Sequence, residues 1–232
     1  MSRRTSRIAA LAVTLAAVGA MSVTVAPASA LSIKSVFKNW VLSGSLTPKK
    51  LGSAVNLPAG STFNGEATAE LPTFDGTVTG NVFVPPFTAN VKVLGIVPTT
   101  IALTFEQVGS IEGTIHETPQ EDCPNVEPGT NGSKCVTLSV PTKVKLGITE
   151  VGLLGLGVKM ACETTEATTL DLSTDLSVGE LFNEGSHFTG TTTIPSIKCA
   201  AGKGLGVFGG PVLTGLISGP DNAYALSITP PG

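Results

Sequence analysis

The stretch Gly185–Cys199, GSHFTGTTTIPSIKC, decides the fold class. Its glycines frame a turn, and the run that follows alternates in the manner of a β-strand. A related stretch lies upstream at Gly60–Phe74, GSTFNGEATAELPTF. Both read Gly-Ser, any residue, Phe, any residue, Gly, and both then run to Leu-Pro or Ile-Pro. The later copy ends in Cys199, so a disulfide can staple it to the rest of the fold.

Working outward, the period of two recurs along the chain. Val78, Val82 and Val84 share one parity with Gly80, and Ile101, Leu103 and Phe105 alternate with Ala102, Thr104 and Glu106. Val136, Leu138 and Val140 form one segment, and Val144, Leu146 and Ile148 a second. Leu156, Val158, Met160 and Cys162 repeat the pattern, as do Leu170, Leu172 and Leu176, and Tyr224, Leu226 and Ile228 close it. This is the signature of half-buried antiparallel strands. Ser35 to Leu46 reads as an opening strand that carries the single tryptophan, Trp40, as a core aromatic. One helical turn fits Val178 to Asn183. The fold class expected is all-β: an antiparallel sandwich or barrel of roughly a dozen short strands, stapled by disulfides.

VPPFTANVKVLGI (Val84–Ile96) also echoes VPTKVKLGI (Val140–Ile148). The chain therefore reads as one β domain over 31–232, with two related halves at about 31–118 and 135–232 as the finer division. An acidic loop joins them. The order of the echoes differs between the halves, so simple tandem duplication does not follow.

Residues 1–30 read as a secretory signal peptide. Arg3, Arg4 and Arg7 precede an apolar core from Ile8 to Ala20, and Ala28-Ser29-Ala30 offers a small-residue cleavage site. The exported chain then begins at Leu31 and has 202 residues, with no arginine and eleven lysines against seventeen acids. An arginine-free surface of net charge −6 argues against nucleic acid as a partner. No later stretch approaches the ~20 apolar residues of a spanning helix.

Four cysteines in an exported chain point to two disulfides. Three pairings are possible. Cys123 with Cys135 is favoured, because the intervening PNVEPGTNGSK is a polar turn-former, which leaves Cys162 with Cys199. No two cysteines have the spacing of zinc ligands, and no metal or cofactor is expected.

Catalytic constellations do not stand out, and no catalytic residue is assigned. His187 lies in the Phe-Gly motif where the upstream copy has Thr62, which points to a structural role. His116 abuts Glu117 at a strand end, and strand neighbours point to opposite faces. Neither histidine accompanies a Gly-x-Ser-x-Gly elbow. Glu117, Glu121, Asp122 and Glu127 enrich one loop in carboxylates but lack the spacing of a twelve-residue calcium loop. Glu163, Glu166, Asp171 and Asp175 read as wet-face residues. GKGLGVFGG (Gly202–Gly210) lacks the Lys-Ser/Thr ending of a phosphate loop, and its glycines read as bulges or tight corners.

The run from Val140 through LGLGVKMACETTEATTLDLSTDL, GSHFTGTTTIPSIKC and LTGLISGPDNAYALSI resembles uncharacterised secreted proteins of actinobacteria. The resemblance covers mainly residues 135–230 and rests on the two-cysteine spacing, Ile-Pro-Ser, and Ser-Gly-Pro before the last strand. It implies an exported or envelope protein of β type and brings no catalytic residues with it. The function expected is a secreted or cell-envelope binding or structural module, non-catalytic. The alternatives are a carrier of apolar envelope ligands such as lipid, an envelope pore, or a secreted hydrolase.

Overall fold

The computed structural model describes residues 22–25, 31–93, 96–119, 134–153, 156–201 and 208–232. The signal-peptide assignment falls mostly on residues outside these, as do Cys123 and the acidic residues Glu121, Asp122 and Glu127. Among the described residues the strands are β1 (Ser22–Val25), β2 (Leu31–Thr47), β3 (Val55–Asn56), β4 (Thr62–Leu71), β5 (Gly76–Phe83), β6 (Phe87–Val93), β7 (Val97–Gln107), β8 (Ile111–Glu117), β9 (Cys135–Leu153), β10 (Leu156–Thr164), β11 (Thr168–Ser177), β12 (Ser186–Ile194), β13 (Ile197–Cys199) and β14 (Gly219–Thr229). They form one antiparallel sheet with the path β12-β14-β2-β4-β5-β8-β9-β10-β13, and β7 and β11 also join β9. The all-β antiparallel architecture is therefore that of a sandwich. The ladder stays open, and the sheet folds over so that β11 faces β12 without backbone pairing.

β9 organises the whole. The sequence reads two segments interrupted at Pro141, but the chain continues through that residue as one strand. The first half of β9 pairs with β11 and β8, and the second half with β10 and β7. Pro141 falls between Ser139, the last residue bonded to β8, and Val144, the first bonded to β7. A residue without an N–H is tolerated at such a break in a ladder. Val136, Leu138, Val140, Val144, Leu146 and Ile148 share one parity and are all buried.

That stripe spans two apolar clusters. Val136, Leu138 and Val140 belong to the first, with Phe37, Trp40, Phe63, Phe188 and Tyr224. Leu146 and Ile148 belong to the second, with Ile101, Leu103, Met160, Ile197 and Leu213. Strands from both 31–118 and 135–232 contribute to each cluster.

The two copies of the Phe-Gly motif become β12 and β4, the outer strands of the run β12-β14-β2-β4. Gly60 and Gly185 have φ of 86° and 105°, a region favouring glycine, at the turns that launch them. Phe63 and Phe188 then point into the first cluster. The glycine two residues later makes room for a ring: a Cβ on Gly65 would lie 2.7 Å from the Phe63 ring, and one on Gly190 2.5 Å from the Tyr224 hydroxyl.

Trp40 is buried beside Phe37, edge-on at 4.7 Å between ring centroids. The two are three residues apart and would face opposite sides of a regular strand. A bulge between them, with Asn39 at φ 54° and its N–H donated to Asn64 Oδ1, restores the phase so that both rings enter the core.

Among the described residues two short helical elements lie between the strands. Glu180–Glu184 forms a π-turn where one helical turn was expected. Ser177 and Glu180 cap it reciprocally, Glu180 Oε2 accepting from the Ser177 N–H and Ser177 Oγ from the Glu180 N–H. It buries Leu181 and Phe182 against the first cluster. The glycines at Gly209 and Gly210, expected in bulges or corners, instead open α1 (Gly209–Ile217). Pro211 suits a first helical turn, and Leu213 and Ile217 at a spacing of four bury one face. α1 lies on β13, where the Ile197 N–H donates to Thr214 Oγ1, and so shields an edge strand.

Cys162 and Cys199 are bonded and sit opposite one another in the β10–β13 ladder. Cys135 is also disulfide-bonded, and its expected partner Cys123 lies outside the described residues. β13 contributes only three residues to its ladder, so the Cys162–Cys199 bridge carries much of its attachment. Closing a loop of 37 residues stabilises by about 4 kcal/mol in the chain-entropy picture. Replacing both cysteines by alanine should cost about 2–5 kcal/mol in urea unfolding, and the amides of β13 and α1 should lose exchange protection first. A double variant that unfolds like the parent would contradict this account of the bridge.

Candidate functional site

The first cluster does not fill its space. A cavity of about 120 Å³ remains inside it. Its wall takes Trp40 from β2, Phe63 from β4, Val140 from β9, Leu170 from β11, Phe188 from β12 and Tyr224 from β14. Strand alternation brings these side chains in, except Trp40, which the bulge at Asn39 turns inward. No charged side chain lines the cavity among the described residues, and no buried side-chain nitrogen or oxygen among them lacks a hydrogen-bond partner. The lining is half-buried in several places, at Val82, Phe105 and Gln107 and equally at Leu170, Leu226 and Ile228. Gln107 fixes the side at β5 and β7: its Oε1 accepts from the Val82 N–H at 2.6 Å, and its Nε2 donates to the Gly109 carbonyl at 2.6 Å.

The seam beside the cavity is held by side chains. β11 bonds to β9 through one edge and leaves carbonyls free on the other. Thr192 Oγ1 donates to the Thr169 carbonyl at 2.6 Å, and the Tyr224 hydroxyl donates to the Asp171 carbonyl at 2.8 Å. Tyr224 belongs to β14, one strand beyond β12, and reaches β11 only because Gly190, its partner in register, has no side chain. These part-buried carbonyls of the β11 edge are thus satisfied without a ladder.

The residues weighed for chemistry lie elsewhere and are not gathered together. His187 Nδ1 is 2.7 Å from Ser227 Oγ, its cross-strand partner, on the exposed face. The shallow groove there is lined by Gly44, Ser45, Asn56 and Leu57 on its other side, with no carboxylate among its described residues to orient the imidazole. His116 Nδ1 is 3.2 Å from Asp75 Oδ1, also exposed. Glu117 pairs with Lys134 at 2.8 Å. Glu163 pairs with Lys198 at 3.0 Å, and that hydrogen bond, with Lys145 nearby, holds its carboxyl below the ordinary value. Asp171 and Asp175 are exposed. Among the described residues, no three metal-ligating side chains come together. Sequence reasoning identified the inward-facing residues without revealing that they enclose a void, because alternation gives the face of a side chain and not the volume between layers.

Tyr224 supplies a titration that reports on the seam. Burial, and then the Asp171 carboxylate, push its phenol above 10.0. Below that pH both folded and unfolded chains keep the phenol protonated, and its contribution is whole. As pH rises past 10.0 the unfolded chain ionises first, so the contribution is lost on the way to the folded pKa. Tyr224→Phe should cost ~1 kcal/mol at neutral pH and lessen the decline in stability above pH 10 relative to the parent, as measured by urea unfolding across that range. Identical alkaline slopes in parent and variant would contradict the role given to this hydroxyl.

No known protein family matches the chain, and neither a curated protein nor a solved structure does, so a functional reading must stand on the cavity and the seam.

Proposed function

We propose that the protein is a non-catalytic binding module of the actinobacterial cell envelope or its surroundings, and that it seats an apolar segment of a ligand, such as an envelope lipid, in the cavity of its first cluster. The observation that carries this reading is the cavity itself: a void walled mainly by aromatic and aliphatic side chains, with every buried polar side-chain atom among the described residues already partnered. Such a site has nothing to offer a reacting bond and favours apolar matter over water. Export is supported by the reading of residues 1–30 and by disulfide bonding, which suits an oxidising compartment.

Volume limits what enters. An apolar cavity of ~150 Å³ holds one benzene, so about 120 Å³ takes a ring or a short stretch of alkyl chain and not a whole lipid. Roughly four methylenes would contribute ~3 kcal/mol, which by itself gives only millimolar affinity. The remainder of the ligand must therefore find contacts outside the cavity to bind more tightly.

Trp40 lines the cavity and is the only tryptophan, which makes it a reporter. Titration with a fatty acid brominated along its chain should quench Trp40 fluorescence to saturation. Val140→Phe, which fills the cavity, should weaken this at least about tenfold while the circular dichroism of the sheet persists. Absence of saturable quenching in the parent would remove the reading.

A further inference from the structure

A second feature lies on the outward face of the sheet, opposite the side that encloses the cavity. Two rows of side chains cross β2, β4 and β5 there in register. The bulge in β2 sets Lys38 and Asn39 against Asn64, and Asn64 pairs with Asn81. One repeat along, Val41 pairs with Thr62 and Thr62 with Phe83. The strand neighbours Trp40, Phe63 and Val82 line the cavity, so both rows point away from it. Asn39 and Asn81 are exposed, and the Phe83 ring is 59% exposed.

The amides of the first row are anchored by their oxygens. Asn64 Oδ1 accepts from the Asn39 backbone N–H at 2.8 Å, which leaves Nδ2 as its outer end. Gln107 Oε1 accepts from the Val82 N–H, so Nε2 is the end that donates to Asn81 Oδ1, at 3.2 Å. Backbone donors thus decide which atom of each amide is oxygen. Among the described residues no acceptor takes the Nδ2 of Asn64 or of Asn81. Two oriented donor groups, on adjacent strands ~4.8 Å apart, stand beside an exposed aromatic ring.

We infer that this face binds a neutral polysaccharide, with one sugar ring stacked on Phe83 and sugar hydroxyl oxygens accepting from Asn64 and Asn81. Sugar hydroxyls are uncharged acceptors, and a pyranose carries a C–H face that packs on an aromatic ring. Three observations select this occupant. The six residues of the two rows carry no charge, whereas a phosphate or carboxylate ligand calls for Arg or Lys. Of the charged residues bordering them, Glu66 is tied to Lys34 at 2.7 Å, and Lys38 stands alone on the bulge. Next, Val41 and Phe83 together expose about as much as one aromatic side chain buries, ~150–250 Å², against the ~800 Å² per partner of a stable protein interface. Finally, an added peptide strand needs an open edge, and β4, central to both rows, is paired on both sides.

The rows and the cavity lie on opposite faces of the sheet, so this inference and the cavity reading fail separately. The test is native electrophoresis of the purified exported chain through gels containing laminarin, galactomannan or dextran, with polygalacturonate as the acidic comparison. At least one neutral polymer should retard the parent, and polygalacturonate should not. Phe83→Ala should weaken retardation about fivefold or more, and Asn64→Ala combined with Asn81→Ala at least about tenfold. Neither should lower the melting temperature much, because the ring and both Nδ2 groups make no contact that the fold needs. Val140→Phe, in the cavity wall, and Thr114→Ala, on the outward face of β8, should run as the parent does. The inference is overturned if no neutral polymer retards the parent, if only polygalacturonate does, if Phe83→Ala or the asparagine pair is retarded like the parent, or if Thr114→Ala loses retardation equally.

Discussion

The backbone pairing of β9 is the constraint on which the rest depends. It exchanges both neighbours near its middle, leaving β11 and β8 for β10 and β7. Its buried stripe of alternating residues reaches both apolar clusters. Each half of the strand would by itself be an ordinary sheet member. Joined, they force two groups of strands to share one set of backbone hydrogen bonds, so that neither cluster can move without bending the strand that serves the other.

The cavity follows from that arrangement. The sheet must fold over to bring β12 and β14 across from β9 and β11, and the cavity is walled by rings from β2, β4, β7, β12 and β14. Where β11 and β12 meet, no ladder forms, and Thr192 and Tyr224 satisfy the exposed carbonyls instead. Gly190 permits this by yielding its side-chain space to Tyr224. A continuous ladder would draw the two strands to the ~4.8 Å of hydrogen-bonded neighbours. Side-chain bridges hold them farther apart and leave room inside. The second cluster has α1 and the Cys162–Cys199 bridge instead.

Much of this was legible in the sequence. Alternation identified the all-β class and the inward faces of β5, β7, β9, β11 and β14, and the pairing of Cys162 with Cys199 followed once the polar loop was given to Cys123 and Cys135. The failures have physical causes. Val136–Val140 and Val144–Ile148 read as two segments but form one strand, since a proline can occupy a strand where a neighbouring ladder is broken, and that break belongs to the tertiary arrangement. α1 was concealed by glycines that favour turns locally, whereas packing of Leu213 and Ile217 settles its form. Leu156 and Val158 keep the period of buried residues but extend past the end of the core. For the site, the lining residues could be picked out and the void could not. Export to the envelope is proposed from the reading of residues 1–30, and the fold itself does not carry it.

The claim at the centre is that β9 ties both clusters into one cooperative unit, and native-state hydrogen exchange of its amides tests this most directly. Within a foldon, amides exchange through a common opening. The account predicts that the bonded amides of β9 from Val136 to Ile148 share one slow class, with an opening free energy equal to that of global unfolding. A fast class over Leu146 and Ile148, opening while Val136 and Leu138 stay protected, would show two independent units and contradict it.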